Sequence, residues 1–445
     1  MIKTLFPKYV DRFFPKLQKV IDVINGKRGD QQTYLFKTML NTEYSPDNKW
    51  EVSTVNTLYM TADYVSEDSP LPLKTRPTLK ASTGKLPKVG VKRQINESDI
   101  TLLRIMELQG GNTEQVAKKI ANDSVACARA IDEQNEWAFL YGLSHGYIPI
   151  KDENAADNML LRMNFGYLED NQYTITDADA GLTIDDLKRV IKKAKQAGNR
   201  ITKVLISDTT YDALRETQGA KELAASYAGQ AITYVNTSGE EVSINLPTPT
   251  AERFDAAFKA ETRAEFVVID RVVYRELNGK PTAVNPFADD VVVFICNDKV
   301  GSLVYGTVAE EAYPNPNVAY QKVDGYKLIS KYAHEDPLVE FTAGQAFVAP
   351  IIGDVDQIYT LSITEAASVD TDAESTDTED STTTIDGTAY SKAAIVTAFA
   401  AVGVTTITES SSDEDIIAAY NALSAAKKAK FIAAAAAADA TDSTE

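Results

Sequence analysis

Two cysteines and two histidines among 445 residues leave little material for thiol or metal chemistry. Cys127 and Cys296 lie far apart in the apolar contexts SVACARAI and VVVFICND, which suits small core side chains rather than a disulfide framework, nucleophiles or ligands. No H-E-x-x-H, paired-cysteine or EF-hand spacing occurs, so neither a metal nor another cofactor is expected. No apolar run is long enough to span a bilayer, which excludes a membrane partner of the helical kind. The opening stretch MIKTLFPKYVDRFFPKLQKVIDVING scatters charges among its apolar residues and has no small-residue cleavage pattern. It reads as neither signal peptide nor anchor, so synthesis in a cytoplasm is expected.

Positive charge is also short. Forty-five Lys and Arg stand against 64 Asp and Glu, for a net charge of -19. Such a surface repels nucleic acid, so any contact with DNA phosphates must be local and non-specific. What remains, 44% hydrophobic and 24% charged residues, is the composition of a soluble globular protein with length for more than one core.

Against this acidic background one stretch stands out. Residues 70–94, PLPLKTRPTLKASTGKLPKVGVKRQ, carry Lys74, Arg76, Lys80, Lys85, Lys88, Lys92 and Arg93 and no carboxylate. Pro70, Pro72, Pro77 and Pro87 exclude helix, and Gly84 and Gly90 permit turns. Upstream, WEVSTVNTLYMTADYV alternates with period two from Trp50, which predicts a strand. The pair predicts a long hairpin projecting from the body, and a two-stranded ribbon is marginal in water without another surface to lie on.

The remaining pattern is mixed. The first 49 residues predict an arm with a short helix interrupted at Pro15. Residues 113–144 contain no proline and no glycine before Gly142, which predicts a helix of about 30 residues, with Ile120, Cys127 and Ile131 on one buried face. After Gly181 a helix with Leu187, Ile191 and Ala194 on one face should close at Gly198, followed by a strand from Lys203 to Ser207 and a second helix capped by Asp208. A β-rich region with a turn at Asn278 and Gly279 comes next, then two strands split at Pro337, and the body is expected to end near Ile352. Beyond Thr364 the composition turns acidic and rich in Ser and Thr, which predicts a disordered linker. Two or three short helices bearing Ile395, Phe399, Val402, Ile416, Tyr420 and Leu423 would then form a small appended module. The fold class is α+β.

The search for catalytic chemistry finds only weak candidates. His334, Glu335 and Asp336 in YAHEDP supply an acid and a base in a loop, and they are the residues an enzyme reading would use. The Gly-Lys pairs lack phosphate-loop spacing, and Arg28–Asp30 and the Asn-x-Ser triplets at Asn96, Asn122 and Asn236 are of the kind that arise by chance. A body this large without a credible active site points to a structural role.

The order of arm, basic hairpin, long helix, α/β unit and closing β-region resembles the major capsid proteins of tailed bacteriophages, the Hong Kong 97 fold, and particularly the lambda-type E family. VKRQINESD (residues 91–99) is similar to that family's return from its extended loop, and AIDEQNEWAFLYGLSHG (130–146) to the end of its spine helix. AGNRITKVLISDTTYDAL (197–214), YRELNGKPTAVNPFADDVVVFICNDKVGSLVYGTVAE (274–310) and HEDPLVEFTAGQAFVAPII (334–352) resemble later elements. The resemblance implies an N-terminal arm (1–49), an extended loop (50–99), a peripheral domain with the spine helix (100–180) and an axial domain (181–320). Closing strands of the peripheral domain (321–352), an acidic linker (353–388) and a small helical module (389–445) complete the chain.

It further implies a structural subunit, not an enzyme, that assembles with itself as hexamers and pentamers into a virion head and is made in a bacterial host. A separate scaffolding protein, a portal and decoration proteins are the partners such heads use, with packaged double-stranded DNA touched non-specifically. Relatives that crosslink a loop lysine would point to Lys80 or Lys85. The seven basic residues are expected to contact a neighbouring subunit. An encapsulin-type shell, which shares the fold but encloses protein cargo, is the alternative.

Overall fold

A computed structural model of the chain describes residues 4–27, 34–54, 80–108, 113–151, 160–177, 181–230, 233–235, 241–243, 246–277, 280–363, 382–385, 388–391 and single positions between 395 and 432. The chain forms two compact units, a body, Met1–Ala366, and a second unit, Ala367–Glu445.

A long helix and a long strand organise the first half of the body. The helix, Thr113–His145, runs 33 residues, about 50 Å at 1.5 Å per residue. Ile120, Cys127 and Ile131 are all fully buried, as their spacing predicts. The strand, Val339–Ile352, pairs antiparallel with three others: Lys88–Ile95, Lys327–His334 and Gly301–Gly306. Strands Ala319–Val323 and Leu40–Tyr44 complete a six-stranded sheet. The helix lies close on this sheet because Gly344 has no side chain; a Cβ there would stand 3.0 Å from the Cβ of Cys127.

The arm is packed onto this frame rather than free of it. Its helix Pro7–Phe13 breaks into a short 3-10 turn at Phe14–Lys16, where Pro15 interrupts it, and resumes as Leu17–Lys27. Val10, Phe14, Leu17 and Ile21 pack against Val125, Cys127, Ala128 and Ile329.

The second half is a mixed five-stranded sheet in the order Glu265–Ile269, Lys203–Ser207, Val291–Ile295, Ile358–Ser362, Gln172–Thr174. Its central strands are near-continuous apolar runs because both faces are covered. Val204, Ile206, Val292 and Phe294 face helices Ile184–Gln196 and Ala251–Thr262, while Leu205, Val293 and Ile295 join the core that holds the long helix. The strand Lys203–Ser207 falls where the sequence places it.

Four expectations are corrected. The body does not end near Ile352, because strand Ile358–Ser362 sits inside the second sheet with Ile358, Tyr359 and Leu361 buried; the change in composition begins only after it. The span 181–320 is not one domain either, since Gly301–Gly306 and part of 319–323 belong to the first sheet. The cap of helix Asp208–Glu216 is Ser207, whose hydroxyl accepts from the Thr210 amide, while Asp208 is the first helical residue. The stretch assigned wholly to linker contains strand Thr382–Ile385, which pairs antiparallel with Thr388–Ser391, at the start of the module expected to be helical.

In the second unit Phe399 and Tyr420 pack their rings on Phe431, at 4.6 and 5.2 Å, and Ile395 is buried. The expected helical positions Val402, Ile416 and Leu423 lie outside the described residues.

These boundaries predict the outcome of two truncations. A chain ending at Ala366 keeps the cooperative thermal transition of the body. A chain ending at Ile352 loses a central strand and is recovered as insoluble protein, which expression and differential scanning calorimetry will distinguish.

Candidate functional site: buried charges and the basic ribbon

The face that the long helix turns toward the first sheet is not wholly apolar. Asp132, Asn135 and Glu136 stand there at spacings of three and four, one face of a helix, and each is at most 1% exposed. Two lysines of strand Lys327–His334, Lys327 and Lys331, point back at it and are fully buried. A buried charge is tolerated only when paired and hydrogen-bonded.

Lys327 meets this requirement with two carboxylates. Its Nζ is 2.6 Å from Asp132 Oδ1 and 2.6 Å from Asp324 Oδ2. The other oxygen of Asp132 accepts from Lys37 at 3.2 Å. Burial acts to raise the pKa of Asp324, but Lys327, Gln18 and Lys37 outweigh it and hold the group below the usual carboxylate range.

The same carboxylates fasten the arm. Glu136 accepts the amides of Leu35 and Phe36 at 3.0 and 3.1 Å; burial nonetheless pushes its pKa up. Glu133, one turn back on the exposed flank, takes the Tyr34 hydroxyl at 2.8 Å and Arg271 at 2.7 and 2.8 Å. Gln18 bonds Asp324 in both directions, donating from its side-chain amide and accepting from the Asp324 backbone amide, each at 2.8 Å. On the long strand, Glu340 accepts from the Thr4 hydroxyl and, at 2.9 Å, from the Leu5 amide. Lys331 donates to Thr342 at 2.7 Å and lies 3.9 Å from Glu340; burial drives the Glu340 pKa up and the Lys331 pKa down.

This cluster has the parts of a fastening and none of a reaction centre. Burial pushes both cysteine thiols up to about 11, so neither ionises at neutral pH. His334, Glu335 and Asp336 lie exposed in the turn between the two strands, and His145 stacks on Tyr141 at 3.9 Å. Among the described residues no group of His, Cys, Asp or Glu is arranged to hold a metal ion.

The seven basic residues fall into three groups. Lys74 and Arg76 lie outside the described residues. Lys80 and Lys85 end the strand Lys80–Lys85, which pairs antiparallel with Lys49–Thr54 to form the root of the predicted ribbon; the strand expected to run on through Val65 is described only as far as Thr54. The root is anchored by Trp50 and Leu86, both in the main core. Gly84 makes room for the Trp50 ring, to which a Cβ would come within 2.7 Å. At Lys85 the cross-strand neighbour is Lys49, a like-charge pair.

Lys88, Lys92 and Arg93 belong to the body, where the sequence pattern had the ribbon still returning. Strand Lys88–Ile95 runs along Val339–Ile352. Lys92 Nζ lies 3.7 Å from the centre of the Phe341 ring, and Arg93 reaches Asp123 of the long helix at 3.4 Å.

The buried polar residues are ones the sequence pattern did not single out. Lys327 and Lys331 sit four apart in KLISKYAH, in phase with the buried Ile329 and Ala333, and that phase was the available signal.

We expect Lys327→Ala to lower subunit stability by about 3–5 kcal/mol, because it leaves Asp132 buried with one partially exposed cation. Lys322→Ala, which breaks the partly exposed pair with Glu311, should cost about 0–1 kcal/mol. Chemical denaturation of both variants checks the contrast.

Comparison with known proteins gives one family. The model described as phage major capsid protein E matches residues 16–353. No curated protein matches the chain. Among solved structures, the putative capsid protein of a prophage of E. coli CFT073 is 13% identical, covers 82% of this chain and 100% of its own, and has a TM-score of 0.47. The bacteriophage PhiM1 mature capsid is 11% identical over 76% and 90%, with a TM-score of 0.37. The holo-SrpI encapsulin of Synechococcus elongatus PCC 7942 is 11% identical over 78% and 95%, with a TM-score of 0.32.

Proposed function

The chain belongs to the phage major capsid protein E family, as a structural subunit of the capsid, and from that premise we propose how it builds the shell. Copies associate as hexamers and pentamers into an icosahedral head that encloses the genome of a tailed phage, and the basic ribbon of each copy lies across the next. The observation that carries this reading is the ribbon root. Trp50 and Leu86 hold it to the core, and at one end Lys85 faces Lys49 across the strands, a like-charge pair that disfavours an isolated ribbon. The neighbouring surface is another copy of a chain with net charge -19, so the ribbon meets opposite charge at each contact. One exposed ion pair contributes about 0–1 kcal/mol, whereas several converging cations fix register and speed encounter.

The contact residues in this proposal are Lys74, Arg76, Lys80, Lys85 and Lys88, with Lys92 and Arg93 stiffening the strand from which the ribbon departs. The protein acts without catalysis, is made in the bacterial cytoplasm, and uses a separate scaffolding protein, a portal and decoration proteins as partners. Its acidic surface keeps packaged DNA at non-specific contact only. The family match, which is to a phage coat protein, favours a genome over protein cargo.

The test is the triple variant Arg76→Glu, Lys80→Glu, Lys85→Glu. It should give soluble subunits with unchanged thermal stability that form no closed shells by negative-stain microscopy. Normal shells from this variant in the absence of DNA would remove the ribbon as the clamp between subunits.

A further inference from the structure

A half-open cavity of about 400 Å³ lies against the long helix, bordered by three short stretches of strand at 87–91, 148–150 and 348–350. The size falls in the range of small-ligand sites, about 300–1,000 Å³. Val89, Ile131, Ala138, Ile148 and Met163 line it with apolar surface.

Its polar side chains are Lys88, Gln134, Asn135 and Arg275. Arg275 has its guanidinium 4.2 Å over the Trp137 ring, which fixes the plane and leaves its N–H edge available. Lys88 stands on the border, and neither cation has an ion-pair partner among the described residues. Asn135 lines the cavity at 1% exposure. Its side-chain amide is turned to the Tyr326 hydroxyl, which lies outside the cavity lining, and lowers that group's pKa against the stronger upward push of burial. The carboxylates of the adjoining turns of the helix are already engaged: Asp132 by Lys327 and Lys37, Glu133 by Arg271, Glu136 by two backbone amides. The cavity therefore presents two cationic side chains, Arg275 and Lys88, and no carboxylate.

We infer that this cavity binds an apolar group carrying one anionic head, of the carboxylate kind, with the head against Arg275 and Lys88 and the apolar part against Ile131, Ile148 and Met163. The source is either a free amphiphile or the terminal carboxylate of a peptide. The inference is read on the dissociated subunit, because Lys88 also belongs to the contact proposed between subunits.

Calorimetric titration of the full-length protein, as dissociated subunits, tests it with three probes: octanoate, octanol and N-acetyl-valyl-leucine. Octanoate should bind once per chain and octanol at least about tenfold more weakly, the loss expected for a missing charge-assisted hydrogen bond. Arg275→Gln should remove that difference. So should Lys88→Gln, an exposed position whose change leaves the fold intact. Ile150→Trp, at the border, should block both probes. Preference for the peptide over octanoate would identify a peptide as the source. The inference fails if neither anionic probe binds the dissociated subunit. It also fails if octanoate and octanol bind alike, or if both charge variants keep the wild-type affinity for octanoate.

Discussion

Lys327 has no water to turn to, and much of the first half of the molecule follows from that constraint. Its ammonium group must lie between Asp132 and Asp324, which sets the long helix at one height over the sheet. Apolar contacts alone tolerate sliding of a helix along a strand; a desolvated ion pair with 2.6 Å contacts does not. The oxygens that Lys327 leaves unused then select the arm, through Lys37 on Asp132 and Gln18 on Asp324. Glu340 and Glu136 repeat the device at residues 4–5 and 35–36, where backbone amides of the arm donate to a buried carboxylate.

This arrangement spends charge inside the subunit and leaves the ribbon outside it. The body satisfies its own buried carboxylates with its own lysines and backbone amides, whereas Lys80 and Lys85, at the two ends of one strand, face Thr54 and Lys49 across the ribbon root. In the proposed shell such a subunit brings its own internal fastening, and the basic ribbon finds its counter-charge on the neighbour. Rigid parts joined by a charge-matched contact suit a shell, in which the same contact is made many times and small misplacements accumulate.

Features set by local pattern were legible in the sequence. The long helix, its buried face at Ile120, Cys127 and Ile131, the arm break at Pro15 and the strand Lys203–Ser207 all follow from periodicity and breakers, and the family resemblance added their order. Features set by distant partners were not. The alternation of Lys88–Ile95 fits a ribbon or a sheet strand equally; only its register on Val339–Ile352 decides. Strand Ile358–Ser362 is short, and it is buried because Val291–Ile295 lies beside it, which composition does not reveal. Lys327 and Lys331 look like surface residues of a strand until the helix above them supplies Asp132. Asp208 and Ser207 are both good caps, and the backbone chose the earlier one.

The central claim is that the body is complete in one copy while the ribbon is completed by the next. Hydrogen–deuterium exchange of free subunits and of assembled particles tests it directly. In both states the amides of Lys327–His334 and of the long helix near Asp132 should exchange slowly, and the ribbon strands Lys49–Thr54 and Lys80–Lys85 should become protected only on assembly. Ribbon amides already protected in the free subunit, or still exchanging freely in the particle, would contradict the account.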